Sequence, residues 1–296
     1  MTGACRRAAT VGLILPLLLL SGCLFTTRKL PVPRYPAVTQ TANGDELVAK
    51  INQRWDALRS LNVTVEILAS VTKPNEGIAR DYTRIRGHIL MRKPELMRVL
   101  GQVPVLGTRA FDMASDGTKF TLLIPSKGTA YVGLNKSNRK STTGLENMRP
   151  SLFFDAMAVR GLEPDDEYTL TADSDTVEDA SKKHLLIIPE YNLSVMRPSP
   201  GNREHQPIRV IHIHREDLLP YQQDLYDDHN NLETQVIYGR YVDFGDHKYP
   251  STVTIKRPME LYQVVLTVEK VTENMPLSDD QFQIKIPEGT KIQNLD

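Results

Sequence analysis

The stretch Leu61-Asn62-Val63-Thr64-Val65-Glu66-Ile67-Leu68-Ala69-Ser70-Val71 decides the fold class. Every odd position is apolar or Ala, while the even positions include Asn62, Thr64, Glu66 and Ser70. A two-residue period places the odd side chains on one face of a strand, so this segment is a half-buried β-strand. Just upstream, Leu47, Val48, Ile51, Trp55 and Leu58 recur at helical spacing. Asn43 followed by Glu46 has the form of a capping box. The spacing predicts an amphipathic helix over 44–59, its apolar stripe resting on a sheet.

Downstream the strand signals continue. Residues 81–92 form a second strand, with Arg84, Arg86, His88 and Arg92 on one face. Residues 96–101 form a third. Segments 108–114 and 118–124 flank Asp116-Gly117, a tight-turn dipeptide. Ser126-Lys127-Gly128 leads into 129–134. Turns this short connect antiparallel neighbours, not parallel ones. Pro150 suits the first turn of a second helix, and Gly161 would close it. Leu152, Phe153, Ala156 and Met157 share one face of that helix. After an acidic loop at 163–167, strands are predicted at 168–172, 184–188, 208–214, 232–243, 252–256 and 261–271, with an exposed loop at 198–207. About a dozen strands and two or three helices, with no internal repeat, predict a single α+β domain over 43–296.

The amino terminus is an address. Arg6 and Arg7 precede an uncharged, largely apolar run over 8–20. That run is too short to cross a hydrocarbon core of about 30 Å as a helix, and it fits a secretory signal. It ends in Leu20-Ser21-Gly22-Cys23, which resembles the bacterial lipobox in all four places. The resemblance implies cleavage before Cys23, with a diacylglyceryl group on its thiol and an acyl group on the new amine. Two or three chains anchor a protein stably where one does not. Leu24, in place of the Asp that retains many lipoproteins at the inner membrane, points to the outer membrane, facing the periplasm. Residues 1–22 are thus a signal peptide. Residues 23–42, with Pro31, Pro33 and Pro36, read as the lipidated Cys and an extended tether.

Composition narrows the function. The 296 residues carry 36 Lys+Arg and 36 Asp+Glu, a balance that argues against a nucleic-acid partner. Apolar content is 40%, enough to exclude a disordered chain. Cleavage would remove Cys5, and lipidation would consume Cys23. No thiol then remains for a disulfide, a nucleophile or a metal.

Other titratable clusters are weak signals. His212 and His214 share one strand face, with Asp227, Asp228 and His229 in a later turn, but a metal needs three or more converging ligands. The ordinary reading is a polar sheet face. Asp165, Asp166, Glu167, Asp173, Asp175, Glu178 and Asp179 lack the EF-hand spacing. Arg84, Arg86 and Arg92 suit either anionic headgroups or neighbouring Glu residues. There is no Gly-x-Ser-x-Gly, His-Glu-x-x-His or phosphate loop. No catalytic residue, metal site or cofactor is expected beyond the covalent lipid.

The chain resembles the LolA/LolB lipoprotein-localisation family. The likeness lies in the Trp55 helix leading into the strand from Leu61, and in Arg92-Lys93-Pro94-Glu95-Leu96-Met97-Arg98-Val99. It continues in the loop Gly101-Gln102-Val103-Pro104-Val105-Leu106-Gly107-Thr108, in Ser115-Asp116-Gly117-Thr118-Lys119, and in the closing Phe282-Gln283-Ile284-Lys285-Ile286-Pro287. It implies an incomplete, strongly curved antiparallel β-barrel, a half-barrel of about a dozen strands with covering helices. Its apolar cavity would hold acyl chains of lipoproteins on their way to the outer membrane. Leu106 stands where the lipid-anchored member has a protruding leucine, with Val105 as an insertion. The chain is longer than the typical carrier, mainly over 163–231. Partners implied are membrane lipid, lipoprotein acyl chains and a periplasmic lipoprotein carrier.

Two elements then have alternative readings. The helix bearing Leu152, Phe153, Ala156 and Met157 is either a movable lid or a fixed plug. Val103, Val105 and Leu106 are either an exposed tip suited to a membrane surface or tucked inward. The whole chain could also be a structural lipoprotein that docks an envelope complex without carrying lipid.

Overall fold

The computed structural model describes residues 32–36, 38–73, 78–135, 149–178, 184–198 and 205–295. The expected signal peptide, Cys23 and the first part of the expected tether lie outside them. The chain divides into two compact units. The smaller holds the described residues 32–35, 176–178 and 184–187, in which β1 (Val32–Arg34) pairs in parallel with His184–Leu186. The larger comprises residues 36–175 and 188–296.

In the larger unit, Asn43 caps α1 (Gly44–Ala57). Its side chain accepts from the Glu46 N–H at 2.9 Å, and Glu46 accepts from the Asn43 N–H at 3.0 Å. The capping box foreseen in the sequence is therefore closed. After α1 come β2 (Ser60–Thr72), β3 (Ala79–Asp81), β4 (Ile85–Arg92), β5 (Leu96–Gln102), β6 (Arg109–Ser115), β7 (Lys119–Ile124) and β8 (Thr129–Leu134). Next are α2 (Pro150–Met157), β9 (Glu167–Glu178), β10 (His184–Pro198), β11 (His205–His214), β12 (Pro220–Tyr226) and β13 (Leu232–Tyr238). The chain ends with β14 (Tyr241–Phe244), β15 (His247–Pro250), β16 (Thr252–Arg257), β17 (Tyr262–Glu273) and β18 (Lys291–Asn294).

The main sheet runs in the order β10-β11-β12-β13-β16-β17-β2-β4-β5-β6-β7-β8-β18. It is curved and open, because its two ends do not pair. β14 and β15 make a separate hairpin. β2 is the keystone: it pairs with β17 from Leu61↔Glu273 to Val71↔Tyr262, joining the first long strand to the last. The odd residues Leu61, Val63, Val65 and Ile67 are all buried, as their period requires.

Both helices lie against the apolar face. Leu47 and Ile51 of α1 pack with Tyr191, Leu193, Val195, Ile211 and Ile213 of β10 and β11. Phe153, Phe154, Ala156 and Met157 of α2 join the larger core built on β2, β4, β5, β16 and β17.

Several expectations change. The described residues contain eighteen strands, and strand predominates over the two α-helices. The predicted segment 232–243 is two strands broken at Gly239, and 81–92 is broken by 82–84. β12 went unforeseen because Gln223, 1% exposed, points inward and breaks the apolar alternation. Gly161 does not close α2, which ends at Met157. It permits close packing instead, since a Cβ there would meet Asn52 Oδ1 and Trp55 Cδ1 at 2.9 Å. The expected closing strand at 282–286 makes no ladder. Phe282 ends a short 3-10 turn, and the strand pairing parallel to β8 comes later, at β18.

Candidate functional site

The apolar face of the sheet holds a pocket of about 170 Å3. Ile67 and Ala69 of β2, Ile85 of β4 and Phe111 of β6 line it, with Leu122 and Ile124 of β7 and Phe153 of α2. Tyr82 and Thr83 also line it. The backbone makes this space. Gly87 of β4 is register partner to Gly101 of β5, and Gly101 in turn to Phe111 of β6. A Cβ on Gly87 would collide with Ile67 Cδ1, and one on Gly101 would lie 2.5 Å from Phe111 Cε1 and 2.8 Å from Ile85 Cδ1. The two glycines let large side chains lie flat over the sheet, where strand glycines mark close approach or tight bending.

α2 closes the space from inside. Phe153 and Phe154 are each 1% exposed. Trp55 meets Phe154 edge to face at a centroid distance of 6.2 Å. At the C-terminal end of the helix, the Tyr249 hydroxyl donates to the Met157 carbonyl at 2.6 Å and Gln223 Nε2 donates to the Asp155 carbonyl at 3.4 Å. The N-cap residue, Arg149, makes no side-chain cap bond. Of the four residues on the helix face, Phe153, Ala156 and Met157 are buried and Leu152 is partly buried.

The loop between β5 and β6 projects. Val105 is 104% exposed and Leu106 74%, while Val103 is half-buried. The Leu106 N–H donates to the Pro104 carbonyl at 2.8 Å, and the Gly107 N–H to the Val103 carbonyl at 3.0 Å. Val105, at φ 69°, is the centre of this three-residue turn, a conformation rare for any residue and more so for a β-branched one.

A larger cleft, about 1,090 Å3, is lined mostly by charged and polar residues. Arg197 Nε donates to the Asp166 carboxylate at 2.8 Å and Arg160 Nε to Asp155 at 2.5 Å. Arg209 donates to the carbonyls of Arg160 and Gly161, each at 2.8 Å, and burial pushes its guanidinium down to about 10. The arginines of this cleft are held by carboxylates or backbone carbonyls.

The other candidate residues make local contacts. Arg84 pairs with Glu66 at 2.5 Å and Arg86 with Glu269 at 3.0 Å, both exposed. Arg92 reaches the Leu277 carbonyl and Asp279. His212 contacts Asn192 and Asp224, and His214 stacks on Tyr221. Among the described residues no group of three or more His, Cys, Asp or Glu is placed to hold a metal ion. No described helix is long and apolar enough to cross a membrane. The sequence reads Gly87 and Gly101 as strand glycines, and only the β4–β5 register brings them together as a pair.

These features define a mostly β protein built on one open, curved sheet, with an apolar pocket between the sheet and a short inner helix. Solved structures with similar folds include a DUF1329 family protein from Desulfovibrio piger. It is 14% identical over 80% of this chain and 94% of its own, with a TM-score of 0.52. A LolA superfamily protein from Nitrosomonas europaea is 16% identical over 84% of this chain and 99% of its own, at 0.49. A putative outer membrane lipoprotein-sorting protein domain from Vibrio parahaemolyticus is 12% identical over 80% and 94%, at 0.48. No family model matches the chain, and neither does any curated protein.

Proposed function

We propose that this is a lipid-anchored envelope protein. Its half-barrel binds acyl chains of lipid or of lipoproteins, for lipoprotein localisation or insertion at the outer membrane. The observation that carries this reading is the apolar pocket over Gly87 and Gly101, closed by Phe153. The lipobox at Cys23 and the projecting Leu106 support it from the sequence side.

The volume sets the mechanism. A cavity of about 150 Å3 in another protein holds benzene, so this pocket as it stands takes a chain end of about six carbons. At about 0.8 kcal/mol per CH2 that contributes about 5 kcal/mol. A whole acyl chain requires Phe153 and its helix to move, which makes α2 the lid. Leu106 then touches the membrane while the chain passes. No catalytic group takes part, and the only cofactor is the covalent lipid on Cys23.

Native mass spectrometry of the gently purified full chain tests this. A bound lipid or lipoprotein, lost in Gly101→Val, is expected. A chain that neither carries lipid nor takes it up from vesicles would sink the carrier role. The deep burial of Phe153, Phe154 and Met157 favours one other reading, a plugged sheet that docks an envelope complex. Crosslinking in cells separates the two, since docking gives one stable protein partner and carriage gives transient lipoproteins or a periplasmic carrier.

A further inference from the structure

The pocket and the projecting loop lie at the same end of the sheet, and a second apolar tip lies there too. The register fixes this. Arg86 pairs with Gln102 and Gln102 with Arg109, so the β5–β6 loop stands beside the start of β4. Val71 pairs with Tyr262, and the Thr72 N–H donates to the Leu261 carbonyl at 2.7 Å, so the β16–β17 turn stands beside the end of β2. That turn is Pro258-Met259-Glu260-Leu261, with Met259 62% exposed and Leu261 38% exposed at φ 56°. Between the two tips, the β3 region leaves Ile78 and Tyr82 exposed, and Tyr82 also lines the pocket. The tips are about four strand spacings apart, on the order of 19 Å along the sheet edge.

Single exposed apolar residues mean little, but a row of them on one edge, beside an apolar pocket, marks a binding surface. The apolar row points to a lipid surface, and two cations unpaired among the described residues favour an anionic one. Arg80 and Lys127 are exposed on this edge, beyond the ion pairs that engage Arg84 with Glu66 and Arg109 with Asp112. Among the described residues of this end, the exposed acids are Asp81, Asp228 in the β12–β13 turn and Glu288 ahead of β18, while Arg80 and Lys127 are cations of the stretch between and beside the two tips. Apolar side chains flanked by cations suit an anionic lipid surface.

We infer that this edge is the membrane-facing end of the protein. The β5–β6 loop and the Met259–Leu261 turn insert together, with the pocket mouth at Tyr82 held between them against the bilayer. Acyl chains then enter the pocket from the membrane without crossing water. The inference deepens the lipid-binding function and rests on it for the role of the pocket, but not for the contact itself.

The test is depth-dependent quenching by brominated phospholipids in phosphatidylglycerol-containing vesicles. It uses the full chain carrying Trp55→Phe and one new tryptophan at a time. Leu106→Trp and Met259→Trp are expected to be quenched strongly, and Thr118→Trp, at the opposite end of the sheet, far less. Adding Arg80→Glu and Lys127→Glu is expected to weaken quenching on anionic vesicles and to leave it unchanged on phosphatidylcholine. Quenching at 106 without 259 would overturn the joint edge. Equal quenching at 106, 259 and 118 would overturn membrane contact by this end altogether, even if mass spectrometry still finds bound lipid. Quenching at both tips with no bound lipid would retain the edge and remove the carrier role.

Discussion

Gly87 and Gly101 face each other across the β4–β5 ladder, and neither position has room for a side chain. Ile67, Ile85 and Phe111 occupy the space that two Cβ atoms would claim. Gly101→Val is therefore expected to cost about 1–3 kcal/mol, as overpacking does. Urea denaturation reads this as a lower midpoint at unchanged slope. The same variant should lose lipid, because the added methyls fall among the side chains that line the pocket.

The outer face of the same sheet depends on a buried ion pair. Asp112 is fully buried and accepts from Arg98 Nε at 2.9 Å and Nη2 at 2.8 Å, with Arg109 3.1 Å away. Asp112→Ala removes both bonds but leaves the partly exposed Arg98 its bond to the Gln281 carbonyl, and should cost about 1–3 kcal/mol. Replacing both partners, as Arg98→Met with Asp112→Leu, should cost much less. A double-mutant cycle in urea measures the difference.

His214 makes stability fall in mild acid. Burial holds its pKa below 6.5, against the opposing pull of Asp217, Glu190 and Glu216. Its Nδ1 has no partner among the described residues, and its ring stacks on Tyr221 at 3.9 Å. The folded state thus binds this proton less readily than the unfolded state. The His214 contribution is complete above the unfolded value and is lost as pH falls through the lower folded one. Denaturation at about pH 7.5 and about pH 5.5 should show that loss, and His214→Phe, which keeps the stack, should shrink it.

Val105 holds its turn at a cost. Its positive φ is of the kind that costs a non-Gly residue about 1–3 kcal/mol. Val105→Gly should raise stability by about 1 kcal/mol while weakening vesicle binding. A gain in thermal midpoint with no loss on vesicles would show that the tip has no membrane role.

Asn43→Ala should cost about 1 kcal/mol by removing the cap on α1. The readout is far-UV circular dichroism during urea unfolding.

Much of this was legible residue by residue. The alternation of Leu61–Val71, the Asn43–Glu46 box and the Asp116-Gly117 turn each state a local geometry, because the chemistry that enforces it lies within a few residues. The turn at Gly117 has φ 95°, and the Asp116 N–H donates to the Lys119 carbonyl at 3.2 Å. Gln223 misled because its partners, Tyr238 and the Asp155 carbonyl, are supplied by other elements. Phe282, Ile284 and Ile286 alternate like a strand, yet the segment finds no ladder partner, and alternation alone does not supply one.

By itself, then, the sequence determined which faces are apolar, where helices begin and turns fall, and that Leu20-Ser21-Gly22-Cys23 has the form of a lipid attachment site. Those are properties of neighbouring residues. Only the tertiary structure decided that Gly87 meets Gly101, that Phe153 closes a pocket, and that Leu106 and Met259 share one edge. Each depends on strand register and curvature, set by hydrogen bonds and packing between residues far apart in the chain.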